Sequence, residues 1–381
     1  MKKRKTDKRD TKLADKPKEQ NSAEDSANPP EQTVEGTPPD AGQESTDSAL
    51  INPDSGLTPS PSGLTPLHLG LTPLHLGLTP WNFHDMSAAS LCDQAQFAES
   101  HGYQSIWVPE NHFGPQAIPD PLMLLASIAG ATQSIRLGTT SYLLTLRNPL
   151  QAAEQVAVLD RLSGGRLMLG VGRGYAPEML RAHHVPVAQK RKIFAWTLDL
   201  MKRAWMGEPI TLDDNPENAV EVHPRPIQQP YPRIWVAAFG PKALAQAGRL
   251  GLPYLSSPME SLTTLAQNYA QHQRSAEEEG VSKPTDVPLM RTVFVSKDAK
   301  QVEKLRQLMA DQSENSRLAD GETLDDWTII GEPNYVRERV EEYRQRLGMT
   351  HLIATRIRVS GLAETELRAS VALLAETLSG L

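Results

Sequence analysis

Three short stretches of this 381-residue chain hold residue types and spacings able to do chemistry. PENHF brings Glu110, Asn111 and His112 together. An imidazole there can act as a general base or donate a hydrogen bond to a ring system; it can equally be a structural histidine bonded to Glu110. GVGRGY, Gly170–Tyr175, sets Arg173 in a glycine-rich turn, where the backbone can approach a ligand closely and a guanidinium can grip phosphate oxygens in pairs. FGPKALAQAG lets Gly240 and Pro241 open a helix whose first amides and dipole favour an anion, with Lys242 adding charge. Alone, each anion signal is weak, because GxGxG strings are common and Arg173 could pair with a carboxylate. Together they point to a phosphorylated cofactor. No second histidine or carboxylate stands at ligand spacing from His112, so no metal site is predicted; Asp120 reads as a helix cap.

The elements that must position these stretches alternate regularly. Short apolar runs and longer amphipathic ones follow each other from residue 74 onward, the pattern of βαβ units around a parallel sheet. Eight strands are read: Leu74–Pro80, SIWVP, IRLGTTSYLL, RLMLGVG, RIWVAAF, LPYLSS, MRTVFVS and HLIATRIRV, each paired with a helix. A proline-rich excursion over 208–232 and an acidic insertion after strand seven take up the remaining length. The expectation is an α/β protein of the (β/α)8 TIM-barrel class, whose active site lies at the C-terminal ends of the strands. All three stretches fall there.

The first part of the chain differs in kind. Residues 1–62 contain no Phe, Trp or Tyr; residues 1–20 carry nine Lys/Arg against four Asp/Glu, and 21–62 carry eight acids and no bases. Such a segment cannot bury enough apolar surface to offset its ordering entropy. Residues 1–66 are therefore expected to be a disordered tail with GLTP repeats, and 67–381 the barrel domain. GLTP recurs at a seven-residue period, too short for a solenoid, and only its last copy reads as part of a strand. His68 and His75 in the repeat read as incidental rather than as metal ligands. The basic start lacks a following apolar run, so it is no secretory signal. The single Cys92 excludes a disulfide framework, no run is long enough to cross a bilayer, and the net charge of −7 argues against nucleic-acid binding. A cytoplasmic protein with no membrane or nucleic-acid partner fits.

SIWVPENHF, IRLGTTSYLLTLRNPLQAAEQVAVLDRLSGGRLMLGVGRGY, PIQQPYPRIWVAAFGPKALAQAGRLG and IIGEPNYVRERVEEYRQRLG resemble the bacterial luciferase-like family of flavin-dependent monooxygenases. The resemblance runs from Leu74 to the C-terminus. It implies a (β/α)8 barrel that uses reduced FMN and molecular oxygen on a small organic substrate, as a homodimer formed through the first helices. It places Arg173 and Tyr175 on the flavin phosphate, with Phe239, Gly240, Lys242 and Ala243 as the second phosphate contact. Thr139, Thr140 and Ser141 fall beside the flavin ring, where the family often has a non-proline cis bond. Luciferases carry EHHF where this chain has ENHF, so Asn111 replaces the first histidine and cannot act as a base. Light emission is therefore not expected. His112, with Asn111, is the catalytic candidate, and a separate flavin reductase would supply the cofactor. Two alternatives stand: a deazaflavin-dependent hydride-transfer reductase on the same barrel, and a flavin-binding protein without turnover.

Overall fold

Ten parallel strands and eleven α-helices alternate among the described residues of the computed structural model, which are 72–211, 215–312, 322–357, 359 and 361–381. The expected disordered tail and the first GLTP copies, with His68, lie outside them. The strands are β1 His75–Leu78, β2 Ser105–Val108, β3 Arg136–Thr139, β4 Tyr142–Leu143, β5 Leu167–Gly172, β6 Arg233–Ala237, β7 Tyr254–Leu255, β8 Pro288–Val295, β9 Thr328–Gly331 and β10 His351–Thr355. The helices are α1 Ala88–Ser100, α2 Pro121–Ala131, α3 Pro149–Leu162, α4 Pro177–Ala182, α5 Lys190–Met206, α6 Pro241–Arg249, α7 Leu262–Glu279, α8 Ala299–Gln312, α9 Leu324–Trp327, α10 Pro333–Leu347 and α11 Glu364–Leu378.

The hydrogen-bonded order is β7-β6-β5-β3-β2-β1-β10-β8-β9, with β4 pairing β5. First and last strands meet in register, His75 opposite His351. The sheet therefore curls as a barrel does, but β7 and β8 share no ladder. The eight expected strands become ten. The run IRLGTTSYLL divides into β3 and β4, and β9 adds itself to the upper half of β8, Thr292 opposite Thr328. The seam between β7 and β8 is joined by side chains. Met290 N–H donates to Ser256 Oγ at 3.2 Å, and Tyr269 O–H donates to the Pro288 carbonyl at 2.6 Å.

Strand alternation divides the apolar residues into two layers. Ile106 and Val108 face the surrounding helices, while Trp107 faces inward with Met168, Trp235, Leu255, Met290 and Ile353. Trp107 and Trp235 stack at 4.8 Å between ring centres. The indole of Trp107 fits because Gly138 opposes it: a Cβ there would lie 2.1 Å from the ring. Below the indoles, at the N-terminal ends of the strands, His351 stacks on His75 at 4.5 Å and meets Trp235 edge-on.

The helices start where their sequence directs. Ser87 Oγ caps α1 by accepting from Ser90 N–H, and Asp120 Oδ1 caps α2 by accepting from Met123 N–H. The segment LDRLSGGR belongs to the floor of the barrel. Buried Asp160 accepts from the backbone of Ile227 and Gln228, pinning the proline-rich excursion. Arg166 donates to the carbonyls of Ala129, Ile135 and Ser163. No helix among the described residues is long and apolar enough to cross a membrane.

Candidate functional site

β2 delivers Glu110 to the upper end of the barrel, where its side chain is fully buried. Burying a carboxylate is costly unless it is paired and hydrogen-bonded, and Glu110 is both. Its Oε1 accepts from His112 Nε2 at 2.8 Å and from Arg147 Nη1 at 2.9 Å, and its Oε2 accepts from Leu143 N–H at 3.0 Å. Arg147 also donates to the Leu143 carbonyl and lies 3.8 Å over the Tyr142 ring. A carboxylate partner assigns the imidazole proton to Nε2, which leaves Nδ1 without a hydrogen-bond partner among the described residues. His112 is thus tied to Glu110 with its second nitrogen unused. Edge-on against His112, at 5.0 Å between ring centres, stands His183. Partial desolvation at this contact, chiefly, and the nearby His112 and Arg147 hold the exposed His183 imidazolium below the ordinary histidine range.

Asn111 serves its own loop. Its backbone pairs with Ile118 in both directions, Nδ2 donates to the Gln116 carbonyl at 3.2 Å, and Oδ1 accepts from Ile118 N–H at 3.2 Å. The side chain is exposed and closes the turn 111–118.

Arg173 is 7% exposed, and no carboxylate pairs with it among the described residues. Its guanidinium donates to Gln246 Oε1 at 2.8 Å and the Ala237 carbonyl at 3.3 Å, and lies 5.4 Å over the Phe194 ring. Burial and the neighbouring Arg191 bring its pKa down to about 10. Lys190, which donates to the Gly174 carbonyl, is lowered by burial, Arg173 and Arg191. Gln246 fastens the cluster together by also donating to the Arg191 carbonyl at 3.0 Å. The helix α6 carrying Gln246 starts at Gly240, which has φ +80° and no side-chain cap. Lys242 is exposed beside this start, and Ala243 is buried. Cations crowd here, and among the described residues no carboxylate forms an ion pair with Arg173, Lys190 or Arg191.

Between the two clusters lies the end of β3. Thr139 Oγ1 donates to the Gly170 carbonyl at 2.8 Å, a strand-to-strand bond. Thr140 Oγ1 is buried without a hydrogen-bond partner, and the Thr140–Ser141 peptide is cis. Ser141 fills the space beside Gly172, where a Cβ would lie 2.2 Å from its Oγ. The loop that follows touches both clusters: Leu143 bonds Glu110, and Thr145 Oγ1 donates to the Arg173 carbonyl at 2.9 Å. Tyr175 and Phe239 form an exposed aromatic rim, 76% and 53% open to solvent.

The structure therefore bonds Arg173 to Gln246 within α6 and to Ala237 in β6, and His112 to Glu110. It keeps Asn111 and Thr139 occupied with backbone partners. His183, Lys190, Arg191 and Gln246 belong to the site and were not singled out by sequence reasoning. The KRK run opening α5 was their one visible sign, since cations are unfavourable at a helix N-terminus without an anion. Arg291, within the expected strand MRTVFVS, sits fully buried in β8.

Known proteins give the site its context. The chain is 30% identical over 295 residues, 69% of its length, to an F420-dependent glucose-6-phosphate dehydrogenase of Kineococcus radiotolerans, and covers 86% of that protein. It is 28% identical over 222 residues, 54% of its length, to the oxygenase component of a flavin-dependent trigonelline monooxygenase of Acinetobacter baylyi, and covers 59% of it. It spans 65% and 48% of two uncharacterized proteins of Sinorhizobium fredii. Its fold is similar to the oxygenating constituent of 3,6-diketocamphane monooxygenase of Pseudomonas putida, a Baeyer-Villiger enzyme solved with FMN. The TM-score is 0.67 at 18% identity, covering 81% of this chain and 98% of that one. Residues 71–351 match the luciferase-like monooxygenases, and the chain belongs to that family of oxidoreductases.

Proposed function

We propose that this chain is the oxygenase of a two-component flavin system, oxidising a small organic substrate with dioxygen and without light emission. The observation that supports the reading most is Arg173, a buried cation flanked by Lys190 and Arg191, with no anionic partner among the described residues. A phosphate would supply that charge, and the orphaned Thr140 hydroxyl would supply a hydrogen bond to a ring above it. These two features fit FMN. Reduced FMN, when bound, contributes the electron pair that activates dioxygen toward the substrate.

In this reading Arg173 and the segment Gly240–Ala243 hold the phosphate, with Lys190 and Lys242 adding charge. Thr139 fixes the strand end that presents Thr140 and Ser141 to the ring. Glu110 keeps His112 in one orientation, so that Nδ1 accepts or returns a proton at the mouth. Asn111 holds the loop that carries His112. Tyr175 and Phe239 cover the entrance and keep water out. Reduced cofactor comes from a separate flavin reductase, the protein acts in the cytoplasm, and it pairs as a homodimer. Met86 and Met123, 40% and 70% exposed near α1 and α2, favour that pairing.

Oxygen consumption by the purified chain with chemically reduced FMN, compared with free reduced FMN, tests the proposal. The expected result is FMN binding lost in Arg173→Ala and an oxidation rate that the protein changes. Identical rates with and without protein would rule it out. One observation favours a second reading, hydride transfer with the deazaflavin F420. The F420-dependent dehydrogenase is matched over 86% of its length, against 59% for the trigonelline oxygenase. Tight binding of F420 and none of FMN would select it.

A further inference from the structure

His183 stands at the C-cap of α4, the short helix that leaves the Arg173 turn, and reaches across to the loop after β2. Its ring meets His112 edge-on at 5.0 Å and stacks on Phe113 at 6.2 Å with a 30° tilt. Both sides of this contact are held by unusual backbone. Phe113 has φ +64° and His184 has φ +56°, and among the described residues they alone, glycines apart, are left-handed. Bulky side chains adopt that region at an energetic cost, and such residues concentrate where a side chain must be aimed. Here the two strained residues flank the same pair of imidazoles.

The chemistry of the pair is asymmetric. His112 is covered, its side chain 11% exposed, and its Nε2 is committed to Glu110. His183 is exposed. A proton arriving at His112 Nδ1 therefore has the adjoining His183 ring as its way out to solvent. The charged and titratable groups facing His183 are His112, Arg147 and Glu110 across the gap and His184 beside it.

We propose that His183 is a positioning residue that acts through His112: it seats the His112 ring on Glu110 and exchanges that ring's Nδ1 proton with solvent. The proton leaves His112 Nδ1, is taken by a neutral ring nitrogen of His183 and passes to water, while the Nε2 proton stays on His112, donated to Glu110. The positive charge moves outward by one imidazole and no electrons are transferred. Two rings this close do not both carry charge readily, so His183 stays neutral while His112 is protonated. His112 is, after desolvation, one of the groups that lower the basicity of His183. The inference rests on the reading that His112 handles a proton in the reaction.

Two measurements on the full chain test it, and only one depends on the proposed activity. The first is an NMR titration of the His183 ring, without cofactor, in the natural chain and in His112→Phe. Phe keeps the ring covered but removes the facing charge, so the His183 midpoint is expected to rise by about one pH unit, the size of a unit charge ~5 Å away in a partly aqueous medium. An unchanged midpoint overturns the coupling. The second is the pH profile of oxygen consumption with reduced FMN in His183→Phe and His183→Ala. His183→Phe preserves the packing on Phe113, so FMN affinity is expected to hold while the rate falls about tenfold or more, in line with a lost proton-transfer partner. Added imidazole is expected to restore His183→Ala. A fully active His183→Phe overturns the proposal. If the natural chain consumes no oxygen, the oxygenase reading fails, and the NMR comparison still decides whether the two histidines act together.

Discussion

Arg291 Nη2 donates to the carbonyl of Glu260 at 2.5 Å, across the seam where β7 and β8 share no ladder. The same guanidinium reaches the carbonyls of Ser257 and Pro258 and donates through Nε to Tyr343 O–H at 2.9 Å. It stands in for the missing backbone bonds. Arg291→Met keeps the volume and removes every donor, and should cost about 2–4 kcal/mol because several buried carbonyls lose their partners. Urea unfolding measures this, and a loss below about 1 kcal/mol would mean that the seam is held elsewhere.

Arg173→Ala is expected to weaken FMN binding about 10- to 100-fold, the worth of one charge-assisted contact. The ligand-free protein should change by less than about 1 kcal/mol, because a buried cation without a counter-charge stabilises little. Fluorescence titration and thermal melts give the two numbers. A variant that is destabilised by more than that yet binds FMN with unchanged affinity would reverse the assignment.

Glu110→Gln keeps an acceptor for Leu143 but leaves Arg147, only 16% exposed, without its counter-charge. A destabilisation of about 3 kcal/mol is expected from breaking a buried pair. The rate should fall more than in Asn111→Ala, whose side chain bonds only within its own loop. Equal effects from the two variants would show that Glu110 does not orient His112.

His351 links pH to stability. Burial, chiefly, outweighs the nearby Asp286 and lowers its pKa from 6.5 to about 4. The unfolded chain therefore takes up a proton before the folded one. Stability is fully present above pH 6.5 and falls as pH drops toward about 4, by on the order of 3 kcal/mol in all. His351→Phe should flatten that slope, which denaturant unfolding at a series of pH values would reveal. An unchanged slope would assign it to other groups.

Gly138→Ala is expected to destabilise by about 1–3 kcal/mol through overpacking, since its Cβ would fall 2.1 Å from Trp107. The near-ultraviolet circular dichroism of the stacked indoles should change with it. A silent substitution would mean that the floor of the barrel yields easily.

Much of the fold was legible because strand and helix periods differ. SIWVP, RLMLGVG and RIWVAAF each mark a strand within a residue or two of its observed ends. TIIG was missed as β9, being a four-residue apolar run between an acidic insertion and a helix, too short for periodicity to identify. Open closure at β7 was equally invisible, because LPYLSS contributes only Tyr254–Leu255 to the ladder. At the site, charge and glycine announced Arg173 and Gly240. His112 could be found but not its partner, since His183 lies 71 positions later and only the fold sets the two rings together. LDRLSGGR lies inside one of the stretches that carry the family resemblance, and its Asp160 and Arg166 brace the floor of the barrel rather than the site.

The stacked indoles of Trp107 and Trp235 also make the protein its own reporter. Two parallel chromophores 4.8 Å apart couple their transitions, giving the folded barrel an optical signature that isolated tryptophans lack. They form the layer beneath the threonines of the upper barrel, so a yellow cofactor seated there would accept their excitation and darken their emission. Occupancy of the mouth could thus be followed in real time by ultraviolet light alone, with no label attached.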